Sequence, residues 1–267
     1  MTAARRLVLL IASVAAVAPF LWLLSTSLKG AEELFAYPPR LIPSTIVWEN
    51  YRGVWNAIPM AAYFINTTIV TVTAVTLNLL LSSLAGFAFA RFRFRAQRPL
   101  FYAVIAAILI PKEVIILPLY AMVLRMHLAD SLTGVVLPFA VDGLGIFLMR
   151  QAFAAIPREV EDAARVDGAS PLRLWWDVML PMTRPTLATL AIFTFIGAWG
   201  DFLWPLVVLK SPEHYTLQVG LSFMTGTFVD NFRYVAAGAV LSLLPVLIVF
   251  MLMQKHFERG LFAGSTH

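Results

Sequence analysis

The chain has 267 residues, of which 60% are hydrophobic and 13% charged, and its formal net charge is +5. A soluble domain is about 45–50% apolar and about 25% charged, so this apolar surplus exceeds what one interior can absorb, and disorder is excluded. With no cysteine and four scattered histidines, disulfides, thiolate metal sites and cysteine nucleophiles are ruled out. No catalytic or metal-ligating set is expected, and the remaining class is a multi-pass, all-α integral membrane protein rather than an enzyme.

A helix needs about 20 apolar residues to cross roughly 30 Å of hydrocarbon. Residues 7–27 carry no charge and follow Arg5 and Arg6. Ala16-Val17-Ala18 resembles a leader cleavage site, but Pro19 stands where the cut would fall and the apolar run continues, so a retained first span is expected. No charge occurs between Arg52 and Arg91, and the second span is placed at 65–90. The third is placed at 99–118, with Lys112 about 20 Å along it from Pro99 and able to snorkel to the far interface. A short interfacial helix at 119–128 follows. The fourth span, 132–149, contains Asp142; the fifth, 185–209, contains Asp201; the sixth, 234–254, is uncharged. No pair of broken helices in matching halves, the mark of an inverted-repeat transporter, is visible.

Six spans place both termini on one side. Of the 20 Lys and Arg residues, 13 fall on that side and 7 on the other, which makes the termini cytoplasmic by the positive-inside rule. Topology therefore accounts for the basic charge, and no nucleic-acid partner is needed.

Residues 150–184, between the fourth and fifth spans, form a loop of about 35 residues, far longer than a simple connection. Pro157 suits a first helical turn, with Glu159, Glu161 and Asp162 near the positive helix end. Glu161 and Arg165 are an i,i+4 pair in the favourable order, and Val160, Ala163 and Ala164 make a flat apolar stripe. Gly168 reads as a left-handed cap, and Ser170-Pro171 as the cap and first residue of a second helix. There Leu172, Trp175, Trp176 and Met179 share one face, Arg173 and Asp177 face away, and Leu180-Pro181 ends the run. Two readings fit this helix–turn–helix bracket: an amphipathic hairpin on the membrane surface, or a docking element for another protein.

Residues 159–170, Glu-Val-Glu-Asp-Ala-Ala-Arg-Val-Asp-Gly-Ala-Ser, continuing to Leu180-Pro181, resemble the EAA motif of ABC-importer permeases. The motif glutamate falls on Asp162, its alanines on Ala163 and Ala164, and its glycine on Gly168. Trp48-Glu49-Asn50-Tyr51, Ala88-Phe89-Ala90-Arg91-Phe92-Arg93-Phe94, Leu117-Pro118-Leu119-Tyr120, Arg150-Gln151, the 199–206 stretch and the 259–264 tail resemble the second permease subunit of maltose-type carbohydrate importers. The resemblance implies a type I, MetI-like bundle of six helices in a prokaryotic inner membrane, importing a sugar, oligosaccharide or related polyol. It implies a second homologous permease subunit, two cytoplasmic ATP-binding subunits and an extracytoplasmic solute-binding protein. Glu159, Glu161, Asp162, Ala163, Ala164, Asp167, Gly168 and Ala169 would then couple to the ATPase. The chain has no GxxxxGK[ST] sequence, so it carries no cofactor of its own, and ATP and Mg are expected on the partner ATPases.

A central Asp costs roughly 2.5–3.5 kcal/mol on insertion scales, so Asp142 and Asp201 are expected to face a bundle interior or a wet cavity. Trp199, Asp201, Trp204 and Asn66 either line a solute path or pack the pore helices. The alternative from another class is a self-contained, ion-coupled secondary transporter or channel using Asp142 and Asp201.

Overall fold

The computed structural model describes residues 3–225 and 232–262, with side chains over 5–225 and 232–253. The 259–264 tail motif lies beyond the described side chains. The described residues hold helices and turns without a strand. The helices are α1 Ala3–Ser27, α2 Ala31–Leu34, α3 Glu49–Ala57, α4 Met60–Arg91, α5 Gln97–Ile108, α6 Ile116–Arg125, α7 Leu132–Val136, α8 Gly143–Ala154, α9 Arg158–Val166, α10 Pro171–Met182, α11 Arg184–Trp199, α12 Leu203–Val208, α13 Leu217–Ser222 and α14 Phe232–Phe262. Three described helices are long and apolar enough to cross a membrane alone: Arg5–Ser27, Met60–Arg91 and Phe232–Met253. Two bent pairs qualify together, Leu132–Phe139 with Gly143–Ala154 at 46° and Pro171–Met182 with Arg184–Trp199 at 82°.

Three expected spans differ from single helices. The third does not run unbroken over 99–118: α5 ends at Ile108 and α6 starts only at Ile116. Pro111 lies between them; it has no N–H to donate and disfavours helical backbone at Ile110. The expected helix at 119–128 accordingly lies at 116–125. The fourth breaks at 140–142 and the fifth at 200–202, each at an aspartate. Both breaks fall inside segments expected as continuous spans.

The chain forms two compact units, residues 1–65 with 216–245, and residues 66–215 with 246–267. In the first, the end of α1 is closed by the Trp48-Glu49-Asn50-Tyr51 segment. Asn50 is buried, and its Nδ2 donates to the carbonyls of Ser27 and Lys29, both at 2.9 Å. The first is a helix-end carbonyl with no partner inside the helix, and the second belongs to the turn that follows it. Ser27 Oγ lies 2.7 Å from Tyr51 Oη. The body of α1 buries nothing within the chain, as suits a helix whose solvent is lipid.

In the second unit α4 carries two apolar cores. Val70 and Ala74 belong to one, with Val123, Val135, Val136, Trp204, Val208 and Leu209. Phe87 belongs to the other, with Met149, Phe153, Ile156, Ala164, Leu174, Trp175, Met179 and Leu190. At 1.5 Å per residue Val70 and Phe87 stand about 25 Å apart, so the cores occupy opposite ends of the helix. Asn78 lies midway and is buried. Beyond the first core, Asp130 joins two loops: it accepts from Ser211 Oγ at 2.5 Å and from the backbone N–H of Ser211 (2.9 Å) and Lys210 (2.8 Å). The Ser211 hydroxyl above all, then these amides, hold its carboxyl well below the ordinary value of 3.8. What this staple adds to stability is complete above that ordinary value and is lost as pH falls through the lowered one.

Candidate functional site

The bracket is built from α9, α10 and the turn between them. Pro157 serves as N-cap rather than first helical residue, with Glu159 and Glu161 in the first turn. The helix ends as its glycine foretells. Gly168 has φ +80°; its N–H donates to the Arg165 carbonyl at 3.0 Å, and the Ala169 N–H to the Ala164 carbonyl at 2.9 Å. This is the Schellman pattern. Ser170 Oγ then accepts from the Arg173 N–H at 3.3 Å and caps α10.

The faces of the bracket are not the ones the periodicity suggests. In α9 Ala164 is buried in the chain's own core while Ala163 is exposed. Glu159, Asp162, Asp167 and Gly168 are exposed, Ala169 is half-buried, and Val166 is 88% exposed. Glu161 turns inward instead of outward. Its Oε1 pairs with Arg165 at 2.7 Å, and its Oε2 lies 3.6 Å from Arg91 Nε. Arg91 is the last residue of α4, and its guanidinium also donates to the carbonyls of Phe153 (2.7 Å) and Ile156 (2.6 Å) at the end of α8. One arginine thus ties α4, α8 and α9 together. Read from sequence it is only one more positive-inside charge.

In α10 the expected face also shifts. Residues 174–179 wind as a π-helix, and Leu174, Trp175 and Met179 are buried while Leu172 and Trp176 stay exposed. A wider turn places residues five apart on one face, which brings Leu174 in and turns Trp176 out. The arm continues to Met182, past Leu180-Pro181, before bending 82° into α11.

The second candidate region lies at the two helix breaks. Asp142 is not a bare charge within a span: Oδ1 accepts from the Gly145 N–H at 2.6 Å as the N-cap of α8, and Oδ2 accepts from Asn78 Nδ2 at 3.0 Å. Asn78 also donates to Thr194 Oγ1 at 2.9 Å and accepts from Ser82 Oγ at 2.6 Å. A Cβ on Gly145 would stand 2.5 Å from Ser82 Oγ, so glycine there lets α8 approach α4 closely enough for this network. Asp201 accepts from the Trp204 N–H across a long 3.5 Å. It lines two adjoining recesses of ≈ 200 Å³ and ≈ 190 Å³, which share Lys112, Phe139, Gly197 and Asp201. Lys112 does not reach away along an interface; its Nζ lies over the Phe139 ring at 4.7 Å. Asn78, Asp142 and Thr194 line the second recess.

The other expected residues have structural posts. Trp204 is buried, donates Nε1–H to the Val135 carbonyl at 3.1 Å and meets Phe139 edge-on. Trp199 is buried and stacked on Phe195. Asn66 donates to the carbonyls of Glu213 (2.9 Å) and Tyr215 (3.0 Å) and so holds that loop. Of the four, Asp201 lines both recesses and Trp204 the first alone.

Residues 78–263, which include α9, α10 and both helix breaks, match the family described as binding-protein-dependent transport system inner membrane component. The arabinooligosaccharides transport system permease protein AraQ of Bacillus subtilis (strain 168) is 34% identical over 251 residues, 93% of this chain and 89% of that protein. The sn-glycerol-3-phosphate transport system permease protein UgpE of Pectobacterium atrosepticum is 34% identical over 238 residues, 86% of this chain and 85% of that one. The fold matches a chain in the crystal structure of a bacterial ABC transporter involved in the import of the acidic polysaccharide alginate, with a TM-score of 0.83, 26% identity and 95% of each chain covered. A chain of the same kind of alginate transporter, with its oligosaccharide-bound periplasmic protein, shares the fold at a TM-score of 0.67 and 12% identity. On these matches and on this helical architecture, the chain belongs to the binding-protein-dependent transport system inner-membrane component family, a family of transport permeases.

Proposed function

We propose that this chain is one of two pore-forming permease subunits of an ATP-driven, binding-protein-dependent importer for a carbohydrate or related polyol. In this reading six membrane crossings leave both termini in the cytoplasm of a prokaryote. A second permease completes the pore, two ATPase subunits bind ATP and Mg, and an extracytoplasmic protein delivers the solute. The bracket carries the reading. A hairpin resting on lipid would turn its apolar face outward. Here Ala164, Leu174, Trp175 and Met179 are spent on the chain's own core, and the exposed tip mixes Glu159, Asp162 and Asp167 with Arg158, Arg165, Ala163 and Val166. A tip without a basic excess gains little from anionic headgroups but suits a groove on a protein partner. Arg91 and the Phe87 core would pass a displacement of the tip to α4 and α8 as rigid bodies. Copurification of an ATPase, with solute-stimulated ATP hydrolysis, tests the reading; uptake by this chain alone in ATP-free vesicles would replace it with the self-contained transporter. That alternative loses one of its two acids, because both carboxylate oxygens of Asp142 are already engaged, one capping α8 and the other bonded to Asn78 midway along α4.

Topology is tested by reporter fusions. Those after Arg95, Asp167 and Gly260 should report cytoplasm, and those after Pro38 and Glu213 the outside. A periplasmic signal after Asp167 would place the bracket out of reach of any ATPase.

The turn is tested at Gly168. Nothing lies within 4 Å of a Cβ placed there, so the penalty of Gly168→Val is one of backbone alone, about 1–2 kcal/mol for left-handed geometry. G168V should leave the membrane helices assembled and lower solute-stimulated ATP hydrolysis several-fold. G168N should be milder, since Asn tolerates this conformation. Equal activity in G168V and the parent would show that the tip touches no partner.

The recesses combine hydrogen-bonding groups with the Phe139 and Phe193 rings, a lining suited to a polyol. If Asp201 lines the solute path, Asp201→Asn should keep most transport, and Asp201→Leu should lose it about tenfold or more with the complex intact. Transport by D201L equal to the parent would remove Asp201 from the path.

A further inference from the structure

At the end of the membrane helices nearest the bracket, a recess of ≈ 360 Å³ lies apart from the bracket and from the cleft at Asp201. It is lined by Phe89, Gln97, Arg98, Phe101, Tyr102 and Arg150. We propose that this recess binds the phosphate headgroup of an anionic phospholipid from the bilayer.

The charge is of one sign. Arg98 and Arg150 both line the recess, no acidic side chain does, and neither arginine forms an ion pair among the described residues. Two guanidinium groups facing one hollow repel each other, and an anion between them relieves that repulsion. Phosphate is the anion whose oxygens match the donor fork of arginine.

Arg150 is held in place beforehand. The Arg150 guanidinium lies over the Phe101 ring at 4.1 Å, a cation–π contact. Phe101 is in turn stacked against Phe147 and packed on Phe89. Gln97 and Arg98 open α5, so the positive end of that helix faces the same hollow. Gln97 itself is fastened by a 2.8 Å bond from Nε2 to the Phe89 carbonyl.

The surroundings select lipid over a soluble anion. α5 is an apolar helix with no fully buried residue. Leu100 is 50% exposed and Tyr102 69% exposed beside the recess, so a wall for acyl chains leads directly from the charged hollow. A basic hollow at the end of an apolar helix sits at headgroup depth, where anionic lipids are recognised.

The inference rests on the membrane-permease reading, but lipid retention is read independently of ATPase copurification and ATP hydrolysis, which test that reading. The purified complex is incubated in mixed micelles containing phosphatidylglycerol and phosphatidylcholine in equal amounts, and retained lipid is counted by native mass spectrometry. The parent should retain phosphatidylglycerol preferentially. R98Q should weaken that preference about fivefold, the equivalent of ~1 kcal/mol per arginine near an anionic surface, and R98Q/R150Q about 25-fold. R93Q/R95Q, which changes two arginines outside the recess, should leave it unchanged. Because Arg150 also packs on Phe101, R98Q alone keeps the test readable if the double variant fails to assemble. An unchanged preference in R98Q would overturn the proposal. So would displacement by excess inorganic phosphate with no preference among acyl lipids, which would assign the hollow to a soluble anion. So would a parent that retains neither lipid selectively, the result expected if a partner subunit's acid fills the recess.

Discussion

Glu161→Ala is expected to lower the thermal midpoint of the purified complex and to abolish solute-stimulated ATP hydrolysis, although Glu161 lies on the inward side of the bracket. The Arg91 side chain is 4% exposed and that of Glu161 10%. Removing the acid leaves a buried guanidinium without its countercharge, which costs about 3–5 kcal/mol where such pairs are broken. The carbonyls of Phe153 and Ile156 still accept from Arg91, which favours the lower end of that range. Arg165, the other partner, is 54% exposed, and an exposed pair is worth at most about 1 kcal/mol; R165A should therefore change little. R91M/E161L, which removes both charges together, should recover part of the midpoint: apolar replacement of a buried pair is often neutral, but the Phe153 and Ile156 carbonyls lose their donor. Thermal unfolding of the three variants beside the parent decides the matter. A midpoint for E161A equal to the parent's would show that Arg91 holds the bracket through the backbone carbonyls alone.

Much of the fold was legible because it follows from one-dimensional signals. The apolar runs of α1, α4 and α14 are long enough to announce themselves, and Gly168, Ser170 and the Glu161–Arg165 spacing mark the bracket's turn and caps by local rules. What was not legible depends on contacts between distant residues. Asp142 reads as a charge stranded in a span until Asn78, 64 positions earlier, is placed beside it. Arg91 reads as a topology charge until α8 and α9 close over it. The breaks at 140–142 and 200–202 escape a hydropathy reading because their flanks stay apolar. The face of α10 was misplaced because periodicity assumes 3.6 residues per turn, and residues 174–179 do not wind that way.

The adjacent alanines of the bracket separate its two faces, and their aspartate variants should fail in different ways. Ala164 is 8% exposed and packs with Leu174, Trp175 and Met179. Ala163 points to solvent. From sequence both belong to one small-residue stripe, and Ala164→Asp would be expected only to spoil a partner contact. In the folded chain it places a carboxylate in the bracket's own apolar core. Desolvating an unpaired charge there costs several kcal/mol, so A164D should melt the bracket, lower the thermal midpoint and lose the ATPase as a consequence. Ala163→Asp adds a solvated charge on the free surface, where substitutions stay within about ±0.5 kcal/mol of stability. Its midpoint should match the parent's. At a closely packed interface the same charge would be desolvated and unpaired, so A163D should release the ATPase while the bracket stays folded. Thermal unfolding together with ATPase copurification separates the two results. If A163D retains the ATPase and full stimulated hydrolysis, the outward face of α9 is not the docking face. If A164D melts like the parent, the inner face is not the clamp on which the lever depends.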